Sequence, residues 1–83
     1  MNTPRVELLR LGSRIRIART ALGYNQRGFA AACGLDRTYF GGVERGERNV
    51  TFSALCIVCV TLGCDVAALT KGIPELTLTF TPR

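Results

Sequence analysis

Three consecutive residues, Arg37, Thr38 and Tyr39, carry the side chains of this sequence that are best suited to recognising another molecule. Asp36 precedes them and is a favourable N-cap, so they are expected to open a helix. An arginine there is able to donate two hydrogen bonds to O6 and N7 of guanine, and a threonine is able to contact a thymine methyl or a base edge. The pattern therefore favours DNA contact, against the alternatives of ordinary solvent-facing residues or, for Tyr39, core packing.

The positive charge of the chain is concentrated in the same half. The net charge is +5 at pH 7; residues 1–50 hold nine arginines and four acids, whereas residues 51–83 are neutral. A basic half attracts polyanions, and contacts with phosphates make that attraction depend on salt. Arginine, unlike lysine, presents a planar fork that suits phosphates and guanine edges. The charge agrees with nucleic-acid binding, and a solvated basic surface is the alternative.

Apolar spacing and capping residues predict five helices around these residues. The first spans about 5–22, because its apolar residues recur at spacings of three and four; they are Leu8, Leu11, Ile15, Ala18 and Leu22. The others are predicted over about 26–33, 37–45, 52–62 and 66–70. Their expected N-caps are Asn25, Asp36, Thr51 and Asp65.

The second and third helices, joined at Gly34, have the spacing of a helix-turn-helix over about 25–45. In this motif the second of the two helices enters the major groove with its N-terminal residues toward the bases. Gln26 and Arg27 lie in the first turn of the supporting helix, where side chain and backbone N–H are able to bind a phosphate. Gly41 and Gly42 each cost about 1 kcal/mol relative to alanine inside a helix. Their presence indicates that something approaches the backbone closely there.

Residues 12–72 resemble the xenobiotic-response-element family of bacterial and phage regulators, which includes lambda-type repressors and Cro. Within it, the runs 35–39, 43–45 and 48–51 resemble the controller proteins of restriction–modification systems. The resemblance implies an all-α, five-helix, lambda-repressor-like DNA-binding domain over residues 1–72. It also implies a homodimer that binds an inverted-repeat operator, regulates its own operon and blocks or recruits RNA polymerase.

The same resemblance implies roles for individual residues. It implies that Arg37 and Thr38 contact bases, that Tyr39 contacts a phosphate or the groove, and that Gln26 contacts a phosphate. Loop contacts with the DNA backbone or groove fall to Arg48 and Asn49, and a buried ion pair to Arg19 and Glu44. The controllers usually carry serine where this chain has Gly41, so a hydroxyl contact is expected to be absent. The DNA-binding set is Gln26, Arg27, Arg37, Thr38, Tyr39, Gly41, Arg48 and Asn49.

The second half of the chain is expected to join two copies. The fourth helix is apolar all round: its core face is Leu55, Val58, Cys59 and Leu62, and its other apolar residues are Cys56, Ile57 and Val60. A second copy is the expected cover of the extra face. In the tail, residues 73–83, Leu76, Leu78 and Phe80 alternate with threonines. This alternation predicts a short strand that pairs across the dimer, and a disordered tail is the alternative.

Several other functions are disfavoured by composition. The chain has no histidine, no phosphate-binding loop and no obvious acid pair, so we expect no enzyme, no cofactor and no metal. No long apolar run or signal peptide is apparent, which predicts a cytoplasmic, nucleoid-associated protein with reduced cysteines. Two alternatives remain open. One is an antitoxin that uses residues 74–83 to bind a toxin, and the other is a thiol- or metal-responsive switch built on Cys33, Cys56, Cys59 and Cys64.

Overall fold

The computed structural model describes residues 5–75 and places five helices in them. They are α1 (Arg5–Ala21), α2 (Gln26–Cys33), α3 (Arg37–Glu44), α4 (Phe52–Leu62) and α5 (Val66–Thr70). No strand occurs within this range, and the predicted five-helix all-α domain is confirmed. The strand predicted around Leu76, Leu78 and Phe80 lies outside the described residues.

Side-chain caps explain why four of the helices begin where they do. Each predicted N-cap accepts a hydrogen bond from the backbone N–H three residues later, at 2.7–3.1 Å. The caps are Asn25, Asp36, Thr51 and Asp65. Each satisfies a donor that the first turn of the helix leaves without a partner, and contributes about 0.5–2 kcal/mol. The helix starts are therefore fixed locally by the sequence.

The turn between α2 and α3 depends on Gly34. Its φ of 69° lies in the left-handed region, which side chains other than glycine rarely adopt. Its N–H bonds back to the end of α2, and the N–H of Leu35 bonds to the carbonyl of Ala30 at 2.9 Å. The chain then leaves α2 at once in a new direction, so that α3 follows after only a short turn.

The core lies where α1, α2, α3 and α4 meet, and Ile15, Phe29, Phe40 and Val58 are fully buried in it. The rings of Phe29 and Phe40 join α2 to α3, with centroids 5.2 Å apart. At Gly12, α1 lies so close to the C-terminal carbonyls of α3 that a Cβ would overlap them. The helix-turn-helix is thus packed rigidly against α1.

The prediction for α1 was wrong at its end. Leu22 was assigned to the apolar face, but α1 ends at Ala21 and Leu22 is exposed. The N–H of Leu22 still bonds to the carbonyl of Ala18 at 3.2 Å, but Gly23, with a φ of 85°, turns the chain at this point and the Leu22 side chain is left 54% exposed. Within the described range, no helix is long and apolar enough to cross a membrane.

Candidate nucleic-acid interface

A buried ion pair holds α3 against α1. Arg19 Nε donates to Glu44 Oε2 at 2.7 Å, and its Nη2 donates to Oε1 at 3.1 Å; the two side chains are 9% and 3% exposed. Arg19 Nη1 also donates to the carbonyl of Tyr24 at 2.8 Å. A fork-shaped pair of this kind fixes orientation as well as distance. Arg19 therefore connects α1, the loop before α2 and the end of α3.

Gln26 extends this network to the start of α2. Its Nε2 donates to Glu44 Oε1 at 2.9 Å, so the first residue of α2 is bonded directly to the last residue of α3. The bond turns the Gln26 carbonyl oxygen toward Gly41, where an added Cβ would lie 3.1 Å from it. One side chain thus sets the spacing between the two helices of the motif.

A hollow of about 220 Å³ lies along α3 beside the start of α2. Five residues line it: Gln26, Arg37, Thr38, Gly41 and Arg45. Arg37 and Thr38 are exposed at the start of α3, and Gly41, which has no side chain, is buried in the lining. The guanidinium groups of Arg37 and Arg45 give the hollow hydrogen-bond donors and positive charge, whereas the Gln26 amide presents its carbonyl oxygen there. Such a lining suits the acceptors of DNA bases or phosphates.

Tyr39 and Arg48 form a second group beside the hollow. The Arg48 guanidinium carbon lies 6.0 Å from the centre of the Tyr39 ring, at the limit of a cation–π contact. The Arg48 stem lies over Gly42, where a Cβ would come within 2.6 Å of Arg48 Cγ. The Tyr39 hydroxyl is buried and, among the described residues, has no hydrogen-bond partner. Because this oxygen is buried, its expected DNA contact requires rotation of the side chain and stays a prediction.

The other notable surface is on α4. Its inner face buries Leu55, Val58 and Cys59, whereas Phe52 and Val60 are 70% and 80% exposed. Ile57 is exposed and Cys56 half-buried. We call the set Phe52, Cys56, Ile57 and Val60 the outer face of α4. The helix contains no charged residue, so this face has no charge of its own.

Two of the four cysteines are buried, and the thiol of one of them has a raised pKa. All four are free, with Cys33 and Cys59 buried. Burial, and then the nearby Cys64, Cys56 and Asp65, raise the pKa of the Cys59 thiol from 9.0 to about 11. A raised pKa disfavours the thiolate that binds metals and reacts with oxidants. Within residues 5–75, no group of three or more histidine, cysteine or acidic residues is placed to hold a metal ion.

Residues 10–71 match the helix-turn-helix domain family. The control protein C.SmaI of Serratia marcescens is 42% identical over 59 residues, which cover 71% of this chain and 70% of that protein. The chain belongs to the helix-turn-helix family of restriction–modification controller proteins. Its membership confirms the predicted DNA-binding transcriptional regulator and the expectation that it is not an enzyme.

Two solved controller structures share this fold. The controller C.AhdI of Aeromonas hydrophila matches with a TM-score of 0.74 and 41% identity, covering 77% of this chain and 97% of that one. The controller C.Esp1396I, solved as a tetramer on its natural 35 base-pair operator, matches with a TM-score of 0.69 and 30% identity. That match covers 76% of this chain and 83% of the other. The predicted all-α regulator fold is therefore confirmed.

The structure brings together only part of the predicted DNA-binding set. Four of its members line the hollow: Gln26, Arg37, Thr38 and Gly41. Arg48 lies instead on Tyr39, and Arg27 and Asn49 are exposed outside the hollow. The Arg19–Glu44 pair is present as the resemblance implies. The DNA contacts of these residues stay predictions.

Two residues were missed at the level of sequence. Arg45 was assigned only to the end of the third helix, yet it follows Gly41 by four residues and Arg37 by eight, which places all three on one side of α3. Phe52 precedes Cys56 by four residues and Val60 by eight, so it shares the outer face of α4. Helical spacing alone would have been enough to predict the positions of both Arg45 and Phe52.

Proposed function

We propose that this protein is a homodimeric controller that binds an inverted-repeat operator and regulates transcription of its own operon. The observation that carries the proposal is the separation of two surfaces on one small domain. The helix-turn-helix presents a positively charged hollow lined by Arg37, Thr38 and Arg45, while α4 presents an uncharged apolar face. The first surface fits DNA, and the second fits another copy of the chain.

The outer face of α4 supports dimer formation. Phe52 and Val60 expose most of their surface, and burying side chains of this kind contributes about 1.5–3 kcal/mol each. A two-fold axis brings the same face of each copy together, so an uncharged apolar face is self-complementary. In such a dimer the two copies of α3 would lie about 34 Å apart and enter successive major grooves. The tail residues Leu76, Leu78 and Phe80 remain proposed as an additional dimer contact.

The start of α2 supports phosphate binding beside the base-reading residues. Asn25 accepts from the N–H of Gly28, and the first two N–H groups of α2, at Gln26 and Arg27, have no partner within the helix. A helix start of this kind favours an anion, and the Arg27 side chain adds charge to it. Arg48 and Asn49 would contact the backbone farther along. Arg37 and Thr38 would then be held at base edges by contacts on both sides.

The regulatory step follows from where the dimer binds. An operator that overlaps a promoter lets the bound dimer exclude RNA polymerase or present a surface to it. The controller C.Esp1396I, solved as a tetramer on its operator, supports operator binding by an oligomer. A cytoplasmic protein associated with the nucleoid would be the consequence.

Selection of duplexes from a random pool, at stated salt, tests the proposal. We expect an inverted repeat, and we expect Arg37→Ala to lose preference at one position of each half-site by about 1–3 kcal/mol. Lys71→Ala is the matched control, because it removes one positive charge from the end of α5, which packs against α1 and α4. Recovery of unrelated sequences, or a monomer in sedimentation at the concentrations that bind DNA, would contradict the proposal.

A further inference from the structure

Arg45 folds back along α3 toward the middle of the helix. Its Nε donates to Glu47 Oε1 at 3.0 Å, and its Nη1 lies 3.1 Å from where a Cβ of Gly41 would stand. Among the described residues, Nη1 and Nη2 of Arg45 have no protein acceptor. The bond to Glu47 therefore holds the guanidinium by one edge and leaves its other edge at the hollow.

Gly41 has no structural reason to be glycine. At Gly12 an added Cβ would overlap backbone carbonyls, and at Gly42 it would lie 2.6 Å from Arg48 Cγ. At Gly41 it would meet only two side-chain ends, Gln26 Oε1 and Arg45 Nη1, each at 3.1 Å. Both atoms are side-chain ends, which are able to shift by a few tenths of an ångström, even though the Gln26 end is also bonded to Glu44, and Gly41 has no positive φ. The fold would therefore accept alanine, which is the better helix former.

We propose that Gly41 and Arg45 form a second base-reading position. Because Gly41 has no side chain, the edge of a DNA base is able to enter the hollow, where the Arg45 guanidinium donates hydrogen bonds to it. The inference rests on the proposed function and extends it to a residue at the far end of α3. The edge must offer two neighbouring acceptors, because the guanidinium presents two parallel donors. O6 and N7 of guanine are such a pair in the major groove. The oxygens of a phosphate are the other source of that chemistry.

Charge around the hollow supports an acceptor-rich occupant. Arg37 and Arg45 both line it, whereas Glu44, the buried acid at the end of α3, is already bonded to Arg19 and Gln26. Glu47 lies on the opposite edge of the Arg45 guanidinium and so orients that group without occupying the hollow. Two arginines eight residues apart on one side of α3 would read two separate positions of a half-site.

The test compares Arg45→Ala, Arg45→Lys and Gly41→Ala with the wild type on the selected operator and on single-base variants of it. We expect Arg45→Ala to lose about 5- to 150-fold discrimination at one base pair of each half-site, different from the pair lost by Arg37→Ala. Lysine should not restore it, because it lacks the planar fork. Gly41→Ala should melt at the same or a higher temperature than the wild type yet bind the operator more weakly.

Each other outcome has a distinct meaning. If Arg45→Ala weakens all duplexes equally, Arg45 contacts a phosphate and base reading at this position is overturned. If Gly41→Ala binds and discriminates as the wild type does, the hollow admits nothing and the inference is overturned. In both cases the wild-type protein still selects its operator, so the proposed function is not contradicted. Failure of the wild type to select any operator would instead overturn the proposed function together with this inference. Lys71→Ala again serves as the charge control.

Discussion

Among isosteric substitutions in this protein, Glu44→Gln should be one of the most destabilising. The substitution removes the charge that balances Arg19 and places an amide N–H₂ where one carboxylate oxygen accepted a hydrogen bond. Glu44 accepts three hydrogen bonds, two from Arg19 and one from Gln26, at 2.7–3.1 Å. Its side chain is 3% exposed, so water is unable to replace the lost partner.

The magnitude follows from the burial of the pair. Removing one partner of a buried ion pair costs about 3–5 kcal/mol, because the other charge stays buried without compensation. A domain of this size has a total free energy of unfolding on the order of 5–10 kcal/mol. The substitution should therefore remove a large part of the free energy of unfolding. It should lower Tm by about 12 °C or more, since 1 kcal/mol shifts the Tm of so small a domain by about 4–8 °C.

The assay is urea unfolding followed by far-UV circular dichroism at one fixed protein concentration, which keeps any dimer contribution constant. Glu47→Gln is the matched control. It is the same substitution in the Arg45–Glu47 pair, whose side chains are 55% and 52% exposed. Solvent screening limits such a surface pair to about 0–1 kcal/mol. If Glu44→Gln costs no more than Glu47→Gln, the buried pair does not hold α3 as described.

Further expectations concern other parts of the fold. Gly12→Ala should cost about 1–3 kcal/mol or more, because the Cβ overlaps backbone carbonyls and α1 must separate from α3; an unchanged Tm would contradict this. The Cys59 thiol, with its pKa raised from 9.0 to about 11, is stabilised in its protonated form by folding. This contribution is complete below pH 9 and is lost as the pH rises toward 11. The difference in free energy of unfolding between the wild type and Cys59→Ala, measured by urea unfolding, should therefore shrink over that range. A difference that stays constant with pH would contradict this prediction. Phe52→Ser with Val60→Ser should raise the dimer Kd at least tenfold in sedimentation, whereas Ile17→Ser, on α1, should not; equal effects would exclude the outer face of α4.

The helices and their starts were predictable because local chemistry determines them. An N-cap such as Asp36 or Thr51 satisfies the backbone within three residues of itself, and no distant contact is needed to recognise it. The turn at Gly34 is equally local, since its left-handed conformation is one that glycine adopts most easily. The burial of Phe29 and Cys33 followed from helical spacing in the same way.

The hollow was not predictable from these local signals. Its existence depends on the direction in which the Arg45 side chain lies and on the bond that draws Gln26 to Glu44. Both are set by partners far along the chain or by the choice of rotamer, which residue type does not reveal. Gly41 and Gly42 did indicate a close approach, but only the structure shows that Gly42 lies under the Arg48 stem and Gly41 under the ends of the Gln26 and Arg45 side chains.

The separation of the two surfaces has a consequence for how variants should fail. Contacts link α4 to the helix-turn-helix through the core, where Cys33 Sγ lies 3.4 Å from Thr61 Oγ1 and Val58 is fully buried. If this link is rigid packing, the axis of the proposed dimer would set the distance between the two copies of α3 and leave their proposed base contacts unchanged. Substitutions on α3, such as Arg37→Ala, should therefore change which base is preferred while the spacing between half-sites stays the same. Substitutions on the outer face of α4 should change affinity and its dependence on protein concentration while the preferred half-site stays the same. A variant of α4 that altered base preference would show that the two surfaces are coupled, and that the core between them yields.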